Sequence, residues 1–444
     1  MNSKSRAKDW VQIGQSHARS LKLLVADRSI EVDSFRPEFT RRTCSLADIS
    51  NEVKRIADYD QAAGYKLREP ITRFYFLDAV HQGTLVMRLS TSQVDDHSIS
   101  HLVQDLTALF KNPSANLRRF SFFDYVRTVK FTNHQDGLNF WKQQLDGAWM
   151  TQVVSHSKPP APTNQVKRLT KTLKVESLAE FGLSFDTVLK TAWGIMLATL
   201  SGSSDILFGE AIHGQNVSRP KNVDINAMVG PVTNIIPVRI RFPAVHTTPL
   251  EIMQAVQEQR VSSRPYEAIG GLELIEKCTD WSYWTRFSTV VEHRPQALVD
   301  GLTTLNMGNT TFRYTVIEPE AMNIPDLRAQ TTMDGPEKVD LEITYSESRV
   351  SKSLANNALM LLATNIEMLT RRDPISKPLL KPADQMALSA PRIPVPQRKP
   401  VARKASDSSL WIDDERRLQR RWQGAGSPRP RRTWSCGPQT RPHP

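Results

Sequence analysis

The stretch RLSTSQVDDHSISHLVQDLTALF, residues 88–110, concentrates side chains that could do chemistry. Its first part alternates like a strand, Asp95 and Asp96 follow, and the remainder has helical spacing. A rigid strand that delivers polar side chains to a sharp turn is a frequent location for an active site. The hydroxyl groups of Ser90 and Thr91 can donate or accept hydrogen bonds, but they do not act as bases near neutral pH.

Nearby histidines offer other chemistry. His101 and Asp105 match an HxxxD acyltransferase pattern, yet they lie four residues apart within an amphipathic helix. Such a pair usually forms a surface hydrogen bond. His97 follows Asp95 by two residues and could move a proton from a displaced position, although a solvent-facing residue at the start of a helix explains it more simply. His213, in EAIHGQN, is explained most simply as a packed histidine.

The elements that would position these groups are mixed strands and helices. Strands are predicted in YKLREPITRFYFLDAV, TLVMRLSTS, ILFGEAIHG, VTNIIPVRIRF and LEITYSES. Helices are predicted in SISHLVQDLTALF, GLNFWKQQLDGAWM, SFDTVLKTAWGIMLATL, PLEIMQAVQEQRVSS and VSKSLANNALMLLATNIEMLT. Gly202 is expected to end the third of these helices, Ser351 to cap the last, and Pro237 to place its strand at an edge or bulge. The mixture predicts an α/β or α+β class.

Length and composition limit the classes of protein. A chain of 444 residues suits two lobes of ordinary size, and 39% hydrophobic residues indicate globular cores. No window approaches eighteen consecutive apolar residues, and the start, MNSKSRAKDW, lacks the apolar core of a secretory signal. Cys44, Cys278 and Cys436 are far apart, which argues against a disulfide framework or a zinc site. A cytoplasmic protein with no membrane partner is therefore expected.

The positive charge lies mainly at the C-terminus. Residues 376–444 contain fifteen Lys and Arg, five Asp and Glu, and eleven of the 28 prolines, which predicts a disordered basic tail. The remaining residues carry 43 basic and 41 acidic groups, so nucleic acid is not an expected partner. SHSKPPAPTNQ, residues 155–165, predicts a linker between a first lobe over 1–154 and a second over 166–375.

Four further stretches follow one another along the chain: FFDYVRTVKFTNHQDGLNFWKQQLDGAWMTQV, TVLKTAWGIMLATLSGSSDILFGEAIHGQN, MVGPVTNIIPVRIRF and SSRPYEAIGGLELIEKCTDWSYWTRFSTVVEH. In this order they resemble the condensation domain of fungal nonribosomal peptide synthetases. The third stretch is similar to the family's crossover strand, with the pattern GPxxNxxPxR. The resemblance covers roughly residues 10–370 and starts within the family's first helix, so the family's opening strand is expected to be missing.

The resemblance implies a chloramphenicol-acetyltransferase-like fold, in which two lobes form a V around a tunnel. Carrier domains of a synthetase would be the partners, each presenting its substrate on a phosphopantetheine arm, and no cofactor would be tightly bound. In the family, the acceptor amine attacks the donor thioester and an amide forms. His213 lies near the expected tunnel and Asn234 belongs to the crossover pattern, so both are candidate substrate-binding residues.

The family motif HHxxxDG falls on STSQVDD in this chain. Ser90 takes the first position, Thr91 the position of the catalytic histidine, Asp95 that of the aspartate and Asp96 that of the glycine. An imidazole can accept a proton near pH 7, whereas a threonine hydroxyl cannot. General-base catalysis is typically worth about 10²- to 10⁴-fold, so weak or absent activity is expected. The aspartate at the glycine position also adds a Cβ and a charge where the backbone must be approached closely.

Asp95 is expected to be structural. In the family this aspartate pairs with an arginine of the second lobe, and Arg239, in IIPVRI, is the matching candidate. A solvated turn residue is the alternative. Two further functions stay open at this point: a non-catalytic module that binds carrier domains, and a stand-alone coenzyme A-dependent acyltransferase that uses His101 or His97.

Overall fold

The chain folds around a three-stranded and a six-stranded sheet, with two short hairpins besides, among the residues that the structure describes. The structure is a computed structural model, and it describes residues 23–25, 28–30, 38–63, 72–79, 82–90, 92–117, 121–122, 124–126, 134–156, 165–213, 228–242, 248–282, 285–294, 304–307, 310–313 and 324–371. All of them belong to one compact unit, Met1–Arg392. The tail predicted for residues 376–444 lies outside the described residues.

The described strands and helices alternate along the chain. The strands are β1 Leu23–Val25, β2 Arg28–Ile30, β3 Glu38–Thr43, β4 Arg73–Ala79, β5 Gln82–Arg88, β6 Val166–Lys174, β7 Asp205–Ile212, β8 Asn234–Arg241, β9 Thr289–Arg294, β10 Thr304–Met307, β11 Thr310–Arg313, β12 Leu327–Met333 and β13 Lys338–Ser346. The helices are α1 Ile49–Ala63, α2 Asp96–Lys111, α3 His134–Leu145, α4 Phe185–Ser201, α5 Pro249–Ser263, α6 Gly271–Cys278 and α7 Lys352–Thr370. This confirms the mixed α/β class.

The smaller sheet has the order β3–β4–β5 and delivers the chain to the motif. β3 and β4 are parallel, and α1 connects them, as a crossover between parallel strands requires. Ile49 and Ile56 of α1 pack against Tyr75 and Leu77 of β4. β5 returns antiparallel to β4 and ends at Arg88, directly before the motif residues.

The larger sheet has the order β6–β13–β12–β9–β7–β8. β9 runs parallel to both β12 and β7, and the other neighbours are antiparallel. α4, α5 and α7 pack against this sheet around an apolar core that includes fully buried Trp193, Met196 and Leu362. A second core joins α3 and α6 to β7 and β8, and it includes the almost fully buried Trp141.

Several local predictions are confirmed. Gly202 caps the C-terminus of α4 at φ 70°, a left-handed conformation that suits glycine. Ser351 caps α7 by accepting a hydrogen bond from Leu354 N. Pro237 lies in β8, which is an edge strand of the larger sheet. An edge strand has a side without a neighbouring strand, and a proline there removes no hydrogen bond of the sheet.

The segment before the predicted linker packs on the larger sheet. Trp141 of α3 donates a hydrogen bond from Nε1 to Tyr266 O (3.1 Å), and Val153 belongs to the core under α4. Thr151 Oγ1 accepts a hydrogen bond from Leu207 N of β7 (2.9 Å). Residues assigned to the first lobe from sequence thus contact the second, and the division at 155–165 stays a prediction.

Candidate functional site at the turn between β5 and α2

A tight turn reverses the chain after β5. Ser90 O accepts hydrogen bonds from Gln93 N (2.8 Å) and Val94 N (3.1 Å), which closes the turn. α2 begins at Asp96, and Asp95 is its N-cap residue, because Asp95 Oδ1 accepts a hydrogen bond from Ser98 N at 2.9 Å. The strand–turn–helix arrangement predicted for this stretch is therefore present.

The motif residues at the front of the turn are only partly described. Ser90 Oγ lies 2.8 Å from Ser92 Oγ, so this hydroxyl is held within the turn. Thr91, at the position of the family's catalytic histidine, lies outside the described residues. Asp96 and His97 are in the first turn of α2, but their side chains are outside what the structure describes.

Asp95 joins the turn to the loop that precedes β8. Its Oδ2 accepts hydrogen bonds from Val232 N (3.0 Å), Thr233 N (3.2 Å) and Thr233 Oγ1 (3.2 Å). Its Oδ1 accepts from the amide and the hydroxyl of Ser98. Five donor groups thus lie within hydrogen-bond distance of one carboxylate, and hydrogen bonds to a charged acceptor are among the stronger ones in proteins.

Ser98 makes a second bridge to the same loop. Its Oγ accepts a hydrogen bond from Gly230 N at 2.9 Å and lies 2.9 Å from Gly230 O. The single hydroxyl proton of Ser98 can go either to Gly230 O or to Asp95 Oδ1, which lies 2.8 Å away. Ser98 is 1% exposed, so these bonds are made away from water. We call the bonds of Asp95 and Ser98 to Gly230, Val232 and Thr233 the loop clamp.

Glycine is required at position 230 by packing. A Cβ built there would lie 2.4 Å from Cδ2 of Phe122, far inside contact distance. Phe122 stacks on Tyr125, with ring centroids 5.9 Å apart, and both pack with Met228 and Val232. The loop before β8 therefore packs between the start of α2 and the rings of Phe122 and Tyr125.

The Asp95–Arg239 ion pair predicted from the sequence is wrong. Arg239 instead forms a bidentate pair with Asp205, at 2.9 Å from Nε and 2.6 Å from Nη2. Its Nη1 donates to Gln144 O and Asp146 O. Arg239 lies six residues beyond Thr233, which is roughly 20 Å along an extended strand. Backbone amides occupy the place expected for the guanidinium.

The buried side chain of Gln93 connects the turn to the residue before β4 by hydrogen bonds. This side chain is 5% exposed, and its Oε1 accepts hydrogen bonds from Thr72 Oγ1 (3.2 Å) and Ser90 N (3.4 Å). Thr72 is fully buried directly before β4. The turn is thus tied to the smaller sheet on one side and to the loop before β8 on the other.

Tyr125 brings a phenol close to Asp95. Burial, with a further contribution from the charge of Asp95, raises the pKa of Tyr125 to about 12. The phenol therefore stays neutral at physiological pH and keeps its proton. Tyr125 is 7% exposed and packs with Val232, whose amide binds Asp95.

The two predicted substrate-binding residues lie at different places. Asn234 begins β8, and its Nδ2 donates hydrogen bonds to Glu267 O (2.7 Å) and Ile269 O (2.9 Å). His213 follows β7, and its Nε2 lies 3.6 Å from Oε1 of buried Glu292. Asn234 directly follows the clamp residue Thr233, whereas His213 lies beside Glu292 of β9. Their binding role stays a prediction.

The HxxxD pair lies within α2, as its helical spacing indicated. His101 is half-buried and Asp105 is 4% exposed, so Asp105 is not the surface residue that was expected. α2 is amphipathic, and its buried residues Leu102, Val103 and Leu109 share the helix with Asp105.

Sequence reasoning missed most of the clamp. Ser98 follows Asp95 by three residues, a spacing typical of a helix N-cap, and this signal was readable. The amides of Val232 and Thr233 gave no signal, because nearly every residue has such a donor. Gln93 and Thr72 are 21 positions apart, and nothing in their local patterns links them.

Among the described residues, no helix is both long and apolar enough to cross a lipid bilayer. Within the same ranges, no group of three or more His, Cys, Asp or Glu side chains is placed to hold a metal ion.

Comparison with known proteins identifies the family. The model of the condensation domain matches residues 39–372, which is most of the chain. Nonribosomal peptide synthetase apmB of Penicillium brevicompactum is 32% identical over 264 residues, covering 59% of this chain and 11% of that protein. Malformin synthetase mlfA of Aspergillus sclerotiicarbonarius is 30% identical over 292 residues, covering 65% of this chain and 6% of that protein.

A solved structure shares the fold. The X-domain from teicoplanin biosynthesis superposes with a TM-score of 0.65 at 17% identity, covering 86% of this chain and 90% of that one. The chain therefore belongs to the condensation-domain family, and it spans only a small part of the length of the synthetases that it matches. The family identified from the sequence is confirmed.

Proposed function

We propose that this chain is a condensation-domain unit of nonribosomal peptide biosynthesis whose own amide-forming activity is weak or absent. The family reaction joins aminoacyl or peptidyl groups that carrier domains present as thioesters on phosphopantetheine arms. The carrying observation is the family match over residues 39–372 combined with a motif that reads STSQVDD. Thr91 replaces the imidazole, while Asp95 is held in a complete set of hydrogen bonds.

The clamp supports the part of this proposal that concerns the scaffold. Asp95 and Ser98 fix the turn and the loop before β8 whether or not a histidine stands at position 91. Nothing in these bonds requires an imidazole. The proposed loss is therefore a loss of the proton acceptor on a site that keeps its shape, and restoring that acceptor is the direct test.

The test is a single-turnover condensation assay. Purified chain is given a donor aminoacyl-carrier and an acceptor aminoacyl-carrier, and the dipeptidyl thioester is measured by intact-protein mass spectrometry. We expect little or no product, and an increase of about 10²- to 10⁴-fold for Thr91→His. Ser92→His is the matched control, since it adds the same ring one residue further along an exposed part of the turn.

The outcomes separate the candidate functions. Turnover by the unaltered chain as fast as by Thr91→His contradicts the proposed loss of activity. Binding of carrier domains without product in either protein favours a non-catalytic module, for which the intact clamp is the supporting observation. Turnover with acyl-coenzyme A and no carrier domain favours the stand-alone acyltransferase.

A further inference from the structure

A buried chain of charges runs from α4 to the turn before α6. Lys190 Nζ lies 2.6 Å from Asp186 Oδ2 and 3.0 Å from Glu210 Oε1. Arg260 Nε lies 3.3 Å from the same Glu210 oxygen, and Arg260 Nη1 pairs with Glu267 Oε1. The side chains of Lys190 and Glu267 are 1% and 0% exposed, so water does not compensate these charges.

Arg260 is the cation that neutralises Glu267. The second carboxylate oxygen, Glu267 Oε2, is buried and has no hydrogen-bond partner among the described residues. A buried carboxylate that has lost its counter-charge strongly destabilises the arrangement around it. Without Arg260, the turn that carries Glu267 is therefore expected to move so that the carboxylate reaches water.

The same residue holds Asn234 through its backbone. Glu267 O accepts a hydrogen bond from Asn234 Nδ2 at 2.7 Å, and Ile269 O accepts the second at 2.9 Å. Only the NH₂ group of the amide can donate to two carbonyl oxygens, so the orientation of the Asn234 side chain is settled by its partners. Asn234 follows Thr233, which donates two hydrogen bonds to Asp95.

We propose that Arg260 and Glu267 are positioning residues for the motif turn. Their ion pair fixes the turn before α6, this turn fixes Asn234, and Asn234 holds Thr233 in place for Asp95. Three of the links are non-covalent contacts, from Arg260 to Glu267, from Asn234 to the backbone of Glu267, and from Thr233 to Asp95, and the peptide bond between Thr233 and Asn234 joins the last two. The consequence for turnover rests on the proposed function of the site, whereas the consequence for the clamp does not.

Hydrogen exchange of the backbone amides tests the structural half. Arg260→Met keeps the length of the side chain and removes its charge, and we expect the amides of Val232 and Thr233 to exchange at least tenfold faster. Arg260→Lys restores a cation and should return exchange to within a few-fold of the unaltered chain. Glu273→Gln, on α6, is the control, because its partners are Lys277 and His134 instead of Asn234.

A second variant covers the case in which Arg260→Met does not fold. Glu267→Gln removes the buried charge at nearly constant volume and leaves a side-chain oxygen for Arg260. We expect a smaller acceleration, still confined to Val232 and Thr233. Unchanged exchange at both amides in every variant, or equal acceleration across the whole larger sheet, overturns the proposal, since the second result indicates general destabilisation.

The Thr91→His protein supplies the functional readout. In that background, Arg260→Met should lower the rate of dipeptidyl thioester formation at saturating carrier concentration by at least tenfold, and Glu273→Gln should not. If Thr91→His makes no product while the exchange results hold, the proposed function fails and the positioning role stands. If turnover is restored and Arg260→Met leaves both turnover and exchange unchanged, the positioning role fails.

Discussion

Replacing Asp95 by alanine is expected to release the loop before β8 from the start of α2. The carboxylate accepts bonds of 2.8 and 2.9 Å from Ser98, 3.0 Å from Val232 N and 3.2 Å from Thr233 N. Loss of an N-cap side chain costs about 0.5–2 kcal/mol. The half-buried Val232 amide loses its acceptor, which costs about 1–3 kcal/mol. Thr233 is exposed, so water replaces its partner at little cost.

These contributions amount to about 1.5–5 kcal/mol of local stability. Because about 1.4 kcal/mol corresponds to a factor of ten, the Val232 amide should exchange with solvent about 10- to 4,000-fold faster in Asp95→Ala. Asp95→Asn should fall between the two proteins, since an amide has one acceptor oxygen and can serve either Ser98 or the Val232 side. Asp58→Ala, on the exposed face of α1, is the control.

A parallel experiment on Arg239 distinguishes the clamp from the ion pair that the sequence suggested. If backbone amides hold Asp95, Arg239→Met should leave the exchange of Val232 unchanged, because Arg239 is bonded to Asp205. If Arg239→Met accelerates Val232 as much as Asp95→Ala does, the clamp reasoning is refuted. If hydrogen exchange in Asp95→Ala becomes faster at the Ser98 amide and not at the Val232 amide, Asp95 acts only as the N-cap of α2 and does not hold the loop.

Two further predictions concern packing and pH. Gly230→Ala should destabilise the protein by about 1–3 kcal/mol in denaturant unfolding. The same substitution should cost less in a Phe122→Ala chain than in the unaltered chain, because the new Cβ meets the Phe122 ring. Burial, outweighing Lys190 and Arg260, raises the pKa of Glu210 above its ordinary value of 4.5, so the folded chain keeps a proton that the unfolded chain releases. Stability relative to Glu210→Gln should therefore fall as pH rises from about 4.5 towards the folded-state pKa, and a difference that does not vary with pH contradicts this assignment.

Elements with strong local signals were predictable. α4 has an apolar periodicity, a serine cap at Ser184 and a glycine end at Gly202, and all three signals agree with the structure. β6 was missed because its sequence, VKRLTKTLK, is rich in charge and follows a proline-rich stretch. It is an edge strand of the larger sheet, where lysines on the exposed side are usual and help to prevent aggregation.

The candidate site was predictable in register but not in its contacts. The helical pattern after Asp95 placed this residue at the start of α2, and the structure has it as the N-cap. The partner was assigned to Arg239 because, in the family that the sequence resembles, this aspartate pairs with an arginine of the second lobe, and Arg239 is the matching residue. A sequence does not indicate which backbone amides will bind a carboxylate, because every residue except proline has such an amide. Only the fold brings Val232 and Thr233 next to a residue more than 130 positions earlier.

The arrangement separates the residue that would do chemistry from the residues that hold the geometry. Asp95 and Ser98 make the described bonds of the clamp to the loop before β8. Under the proposed function, Thr91 deprives the site of its proton acceptor and leaves these bonds in place, whereas losing Asp95 is expected to be costly even in a chain that catalyses nothing. The presence of Asp95 in the motif is thus explained by folding alone and is no argument for activity, so only a measurement at position 91 decides whether this chain forms amide bonds.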